Sequence, residues 1–370
     1  MRISLLEKRE DFYKIFSQTL KHSSFFKEIK IENEKTYFVN IFLNFIATSC
    51  LPKSVFQIII NEYSQSLKWW RKGIQYLYVN IATSKNFRAI LSHKTILLPD
   101  YFSNYLFLGG NHRLRLLTID LNSSIVILKI GERIDYIRND ILIRTENTIK
   151  YAPKLIQFGE DWLEEEYFEG IPINRLTNTS NSTSYLNRIH ENHFQTLNLH
   201  TKKNISKYNY IQLVEKEIFS IVKNKKIKIE KNLLNLIEEV ICKLFDIIED
   251  DNILISWTHG DFQKANILIS DRNYKVIDWE ASAKRYYLYD TFVLFGGIRE
   301  GTPLVDALQV FKNSSNLINL VSEANNNTFT LLIIEELRFI INETFSENFY
   351  NSGLKTAKLC ETILTYINER

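Results

Sequence analysis

Trp257-Thr258-His259-Gly260-Asp261-Phe262-Gln263-Lys264-Ala265-Asn266-Ile267-Leu268 is the stretch on which the reading of this chain turns. An aspartate followed five residues later by an asparagine, on a loop that enters a strand, aims a carboxylate and an amide at one point. Two short strand-like runs, 266–270 and 274–279, are joined by Asp271-Arg272-Asn273 and return the chain beside Asn266. The second run ends in Val276-Ile277-Asp278-Trp279-Glu280, which brings another carboxylate to the same place 17 residues after Asp261. Oxygen donors of this kind suit magnesium. Phosphoryl transfer asks for such positioning and charge neutralisation more than for covalent chemistry.

Upstream of this stretch the texture changes twice. Residues 1–95 read as mostly helical, with Phe12, Ile15, Phe16, Thr19 and Leu20 at helical spacing. Phe56, Ile59, Ile60, Tyr63 and Leu67 repeat the pattern, in a helix that Pro52 would start and that runs on through Trp69-Trp70. Trp69-Trp70-Arg71-Lys72 is read as helix core with flanking charge, the alternative being an exposed aromatic-basic patch for a partner. Runs at 104–108, 114–120 and 124–130 are short strands separated by Gly109-Gly110-Asn111 and by Asp120-Leu121-Asn122-Ser123. A helix over 134–151 and two further strands, 154–158 and 162–168, complete this part. Beyond residue 180 the pattern is chiefly helical, over 183–200, 209–223, 230–250, 303–324, 328–345 and 353–369.

The motifs His259-Gly260-Asp261, Asn266-Ile267-Leu268 and Ile277-Asp278-Trp279-Glu280 resemble those of the aminoglycoside phosphotransferase and choline kinase-like family, which shares the protein-kinase fold. The resemblance implies that Asp261 orients the acceptor hydroxyl as catalytic base and that Asn266 and Asp278 bind magnesium. ATP would be the phosphate donor. Asp290, in Tyr289-Asp290-Thr291, matches the family's downstream aspartate, which braces the catalytic loop, and His259 would pack within that loop. The family usually has small or turn-forming residues, often including proline, between the aspartate and the asparagine. Here they are Gln263-Lys264-Ala265, and Lys264 is expected to face solvent.

The nucleotide-binding residues are read from the first half. Lys129 is a lone charge ending the apolar run Ile125-Val126-Ile127-Leu128, and burying it unpaired would be costly. ATP phosphates and a helix carboxylate would resolve that cost, as in kinases. Glu146, in Arg144-Thr145-Glu146-Asn147, is the preferred carboxylate, with Glu132 the alternative. Gly109 and Gly110 form a hairpin turn whose amides could also approach phosphate. Tyr167, in Glu166-Tyr167-Phe168, falls where the family's hinge would hold adenine.

The expected fold is therefore α+β, bilobal and protein-kinase-like. A helical N-terminal extension would occupy 1–95, a small antiparallel nucleotide lobe 96–170, and a mainly helical catalytic and substrate-binding lobe 171–370. The expected activity is ATP-dependent transfer of the γ-phosphate to a hydroxyl of a small molecule: a sugar, polyol, amino alcohol or aminoglycoside-like compound. The rival is a catalytically inactive kinase-like scaffold binding nucleotide or a partner, against which the presence of Asp261, Asn266 and Asp278 argues. There is no G-x-S-x-G elbow, no Walker A lysine and no D-F-G or A-P-E segment, so a hydrolase, a P-loop kinase and a protein kinase lack support.

Composition sets the outer bounds. Three widely spaced cysteines without a C-x-x-C pair support neither a disulfide framework nor a zinc site. His190, His193 and His200 make no complete metal set and are expected to pack or face the surface. Neither a signal-type apolar segment nor a membrane span is expected, which favours a cytoplasmic location. The net charge of +3 is uneven: residues 1–100 hold 15 Lys/Arg against 8 Asp/Glu. Nucleic acid is not an expected partner. The basic N-terminal region could meet another partner or a membrane surface, or could simply be a solvated helical surface.

Overall fold

The computed structural model describes residues 9–27, 33–63, 69–110, 112–146, 149–176, 179–224, 229–270, 273–314, 326–345 and 353–369. The chain divides into two compact units, one of residues 1–141 with 153–168, the other of 142–152 with 169–370.

The first unit is built on one antiparallel sheet. In chain order its elements are α1 (Arg9–His22), α2 (Ser24–Lys27), β1 (Glu34–Asn40), β2 (Phe45–Ala47), α3 (Gln57–Tyr63), α4 (Trp69–Thr83) and β3 (Lys94–Pro99). Then come β4 (Tyr105–Gly109), β5 (Arg113–Thr118), β6 (Ser123–Leu128), α5 (Asp135–Glu146), β7 (Leu155–Phe158) and β8 (Trp162–Glu166). The eight strands run β3-β1-β2-β4-β5-β6-β8-β7. Because strand side chains alternate between faces, Phe107, Leu114, Leu116, Ile125 and Ile127 meet Phe16 of α1 on one side. Leu106, Leu117 and Phe45 go to the other, against Phe56, Ile59 and Val79 from α3, α4 and the turn before them. Val126 and Leu128 pack with Tyr136 and Ile137 of α5.

This corrects the expected N-terminal extension. Residues 1–95 are not a separate helical region: β1 pairs with β2 and β3, β2 pairs with β4, and all belong to the same sheet. A boundary at 95/96 would cut through β3. The apolar run 39–60, within the stretch expected to be mostly helical, is the end of β1, then β2, a single 3-10 turn and the start of α3. Short apolar runs carry no period that separates a buried strand from a buried helix, and only pairing across more than 50 residues decides it. A second correction concerns Trp69 and Trp70, which open α4 and are exposed rather than core.

The second unit is mainly helical. After β9 (Ile171–Pro172) come α6 (Thr179–His193), β10 (Lys203–Ser206), α7 (Lys207–Val222), α8 (Lys231–Ile247) and β11 (Asn252–Thr258). There follow β12 (Ile267–Ser270), β13 (Asn273–Val276), β14 (Ala283–Tyr286), α9 (Tyr289–Gly296), α10 (Leu304–Lys312), α11 (Asn326–Thr344) and α12 (Leu354–Asn368). The hairpin expected at 266–279 is β12–β13, with Ile267 opposite Val276. Strands β10, β11 and β14 form a small sheet that the sequence reading did not anticipate. Helix α11 is buried along almost its whole length, and its charges Glu335, Glu336 and Arg338 are buried with it. Each is paired: Arg338 bonds Glu335 at 2.6 Å and also Glu217, and Glu336 bonds the Tyr289 hydroxyl at 2.8 Å. Buried charges persist only when so compensated. Among the described residues no helix is long and apolar enough to cross a membrane.

Candidate active site

Strand β11 delivers the chain into His259-Gly260-Asp261, and the shape of this loop depends on its glycine. Gly260 has φ +82°, where L side chains are strained. A Cβ there would lie 2.2 Å from the Ala281 carbonyl oxygen. Gly260→Ala is therefore expected to destabilise the protein by at least about 2 kcal/mol, read as a lowered urea midpoint.

Asp290, at the start of α9, holds the loop from beneath. Its Oδ2 accepts the His259 backbone N–H at 2.7 Å and His193 Nε2–H at 2.8 Å, and its Oδ1 accepts the Gly260 N–H at 2.9 Å. The residue is fully buried. Burial alone would raise its carboxyl, but the hydrogen bonds from His193 and the His259 backbone more than offset this and hold it at about 2. The downstream aspartate thus has the bracing geometry expected of it. His193 lies just before one π-helical turn, Phe194–Leu199, that continues α6, and its ring stacks on Phe262 at 3.9 Å between centroids. His190 is also buried, at 2.9 Å from the Thr291 hydroxyl, and burial lowers it to about 3. Both histidines pack and hydrogen-bond, and neither belongs to a metal-binding group among the described residues.

His259 ties the two halves of the motif together. Its Nε2–H donates to the Ile277 carbonyl at 2.9 Å, and its Nδ1 accepts from the Asp261 N–H at 3.3 Å. Only a neutral imidazole does both, and burial pushes His259 below its ordinary value in the same direction. The Ile277 N–H in turn donates to the Asn266 carbonyl at 2.9 Å. Asp278 follows directly, exposed and with φ +70°, one of three described non-glycine residues at positive φ. Asp278 thus holds a left-handed backbone two residues beyond β13, next to a residue fixed by two hydrogen bonds.

Asp261 itself is one-fifth exposed and accepts from three side chains. Gln263 Nε2 reaches its Oδ2 at 2.7 Å and Asn266 Nδ2 the same oxygen at 2.9 Å. Arg299 Nε donates to Oδ1 at 2.9 Å. The guanidinium also donates to Glu336 at 2.7 Å and to the Tyr289 hydroxyl at 2.9 Å, and lies 3.8 Å from the Phe339 ring centroid. Arg299 was not anticipated from sequence. The available signal was Gly297 and Gly301, two of only 11 glycines, both at positive φ and flanking the short turn that carries Arg299. Lys264, expected to face solvent, pairs with Glu300 at 2.8 Å. It also lines a cavity of about 320 Å³ with Ile173, Leu186, Asn187, Leu294 and Phe295.

In the sheet unit, Lys129 is buried and its Nζ donates to the Gly110 carbonyl at 2.5 Å, so two of the expected nucleotide-binding residues meet. Gly109 ends β4, and Asn111 lies outside the described residues. A Cβ on Gly110 would fall 2.7 Å from the Arg113 carbonyl oxygen. Glu132 is buried against His112 at 3.0 Å, and its N–H bonds the Lys129 carbonyl. Glu146, the preferred carboxylate, is an exposed residue ending α5. Tyr167 is half-buried, with its N–H on the Asn122 carbonyl at 3.1 Å.

No family model and no curated protein matches this chain. Solved structures do. A choline kinase from Cryptosporidium parvum Iowa II is 16% identical over 72% of this chain and 89% of that one, with a TM-score of 0.45. An ethanolamine kinase from Plasmodium vivax is 14% identical over 85% and 93%, TM-score 0.46. The aminoglycoside phosphotransferase APH(4)-Ia is 10% identical over 71% and 93%, TM-score 0.47. Choline and ethanolamine kinases and an aminoglycoside phosphotransferase are what this chain is similar to in structure.

Proposed function

We propose that the protein is a MgATP-dependent phosphotransferase that moves the γ-phosphate to a hydroxyl of a small molecule. The observation that carries this reading is a carboxylate held by three donors, Asp261, bonded to an asparagine, Asn266, whose carbonyl takes the N–H of the residue before a strained exposed aspartate, Asp278, across the base of one hairpin. The acceptor hydroxyl would hydrogen-bond Asp261. As its oxygen bonds to the γ-phosphorus and the bond to the β-phosphate oxygen breaks, the proton passes to the carboxylate and ADP departs.

The donor set fits magnesium. Asn266 turns its amide nitrogen to Asp261, which leaves its oxygen, and Asp278 adds a carboxylate. Neither nitrogen nor sulfur donors enter, as a hard cation requires. When bound, magnesium would neutralise phosphate charge. Lys129 and Gly110 are the residues proposed to meet the phosphates, with Gly109 beside them, and the backbone at Tyr167 to meet the base. Burial supports Glu132 over Glu146 as the acid that accompanies Lys129. The cavity lined by Lys264, three residues beyond Asp261, is the candidate acceptor pocket.

The test is ADP formation from MgATP across a panel of hydroxyl compounds: glucose, glycerol, inositol, homoserine, choline, ethanolamine and kanamycin. Turnover is expected with at least one class. Asp278→Asn should raise the magnesium concentration for half-maximal activity by at least about tenfold. Nucleotide binding without turnover on any acceptor would overturn the reading in favour of a non-catalytic scaffold.

A further inference from the structure

Helix α4 wears its hydrophobic face on the side turned away from its own unit. At about 100° per residue, Tyr76, Trp69, Gly73, Leu77, Trp70 and Ile74 fall within one arc of about 160°. The large members are all exposed: Trp69 at 86%, Leu77 at 62% and Ile74 at 61%. The opposite arc carries Arg71, Gln75 and Lys72 in the first half of the helix and Val79, Ala82 and Thr83 in the second. These last three are buried, two of them in the core beneath the sheet. The second half of α4 thus packs in the ordinary way, through Val79 and Ala82, whereas residues 69–77 are exposed on every side and gather their large apolar side chains on the arc away from those two, with Asn80 one turn further along it. Exposed apolar surface of this extent marks an interaction site.

Charge identifies the occupant. The helix has two basic residues and no acidic one, and Arg71 and Lys72 border the apolar arc on its two sides. Residues 1–100 carry a net +7 from 15 Lys/Arg and 8 Asp/Glu. Paired tryptophans and a tyrosine suit the headgroup boundary of a bilayer, where an amphipathic ring has one end apolar and one wet. Lysine and arginine at the edges of such a face reach lipid phosphates while their stems stay on apolar surface. We propose that this face of α4 docks the protein in the plane of an anionic lipid surface. This does not depend on the phosphotransferase reading.

The test uses the full chain with phosphatidylcholine vesicles, with and without phosphatidylglycerol, in a sedimentation assay. Partitioning should be on the order of thirtyfold stronger onto the anionic vesicles and should weaken with salt. Emission should shift to the blue on binding, because Trp69 and Trp70 are exposed whereas Trp257 and Trp279 are already buried. Trp69→Ala/Trp70→Ala should lose at least about tenfold in partitioning, and Arg71→Glu/Lys72→Glu should abolish the preference for anionic lipid. All four side chains are exposed, so both variants should keep the parent's thermal midpoint. Equal partitioning onto the two vesicle types, or none, overturns the proposal. So does a dimer in solution that the tryptophan double variant dissociates, since that would assign the face to a second copy of the chain.

Discussion

Asp261→Ala is expected to lower kcat by about 10²–10⁴-fold, the range associated with losing a positioned general base, with little change in MgATP affinity. The reason for the separation is geometric. Asp261 meets Gln263, Asn266 and Arg299, all within the helical unit, whereas the residues proposed for the nucleotide phosphates, Lys129 and Gly110, bond one another in the sheet unit. The fold should tolerate the change. Asp261 is partly exposed, and Arg299 keeps Glu336 and Tyr289 as acceptors when one carboxylate is gone. Single-turnover and steady-state rates, with MgATP binding measured by titration, separate the two effects. Turnover within about tenfold of the parent would remove Asp261 from the chemistry.

Asp290→Asn is expected to act on stability first. The buried carboxylate accepts two backbone N–H groups and His193, and an amide would turn an N–H toward at least one of those donors. Breaking such a buried charge network costs about 3–5 kcal/mol, seen as a large fall in the urea midpoint. A pH dependence accompanies it. The Asp290 carboxyl lies at about 2, below its usual 3.8, so the folded state favours the ionised form. That stabilisation is present above the unfolded value and is lost as pH falls toward 2. It amounts to roughly 2 kcal/mol for a displacement of this size. The parent protein should therefore lose stability more steeply than Asp290→Asn between about pH 4 and pH 2. Parallel curves for the two proteins over that window would show that Asp290 is not held ionised by the fold.

Much of the candidate site could be read locally. His259-Gly260-Asp261, Asn266 and Asp278 lie within 20 residues, on a loop and a hairpin whose turn and alternation are visible in the chain. Even Asp290, 29 residues beyond Asp261, could be placed by motif order. Helices α6, α7, α8, α10, α11 and α12 follow from their periodicity, because a helix is written in contacts three and four residues apart, whereas the short α9 (Tyr289–Gly296) is not among the expected helices. What could not be read depends on distance along the chain. Arg299 meets Asp261 across 38 residues and Glu336 across 37, and nothing in Ile298-Arg299-Glu300 marks it as more than a surface turn. The Glu132 carboxylate is buried against His112 whereas Glu146 is exposed, which periodicity cannot say.

The sequence by itself determined the order and spacing of the candidate site residues, the α+β class and most of the helices in the second unit. All of these rest on spacings of a few residues. The tertiary structure decided that residues 1–95 complete a sheet instead of preceding it, because pairing partners such as Thr36 and Leu97 lie about 60 residues apart and backbone hydrogen bonds carry no side-chain signature. It also decided which way α4 faces. An amphipathic pattern states that a helix has two sides. Only the packing of Val79 and Ala82 states which side meets the core and which meets something outside it.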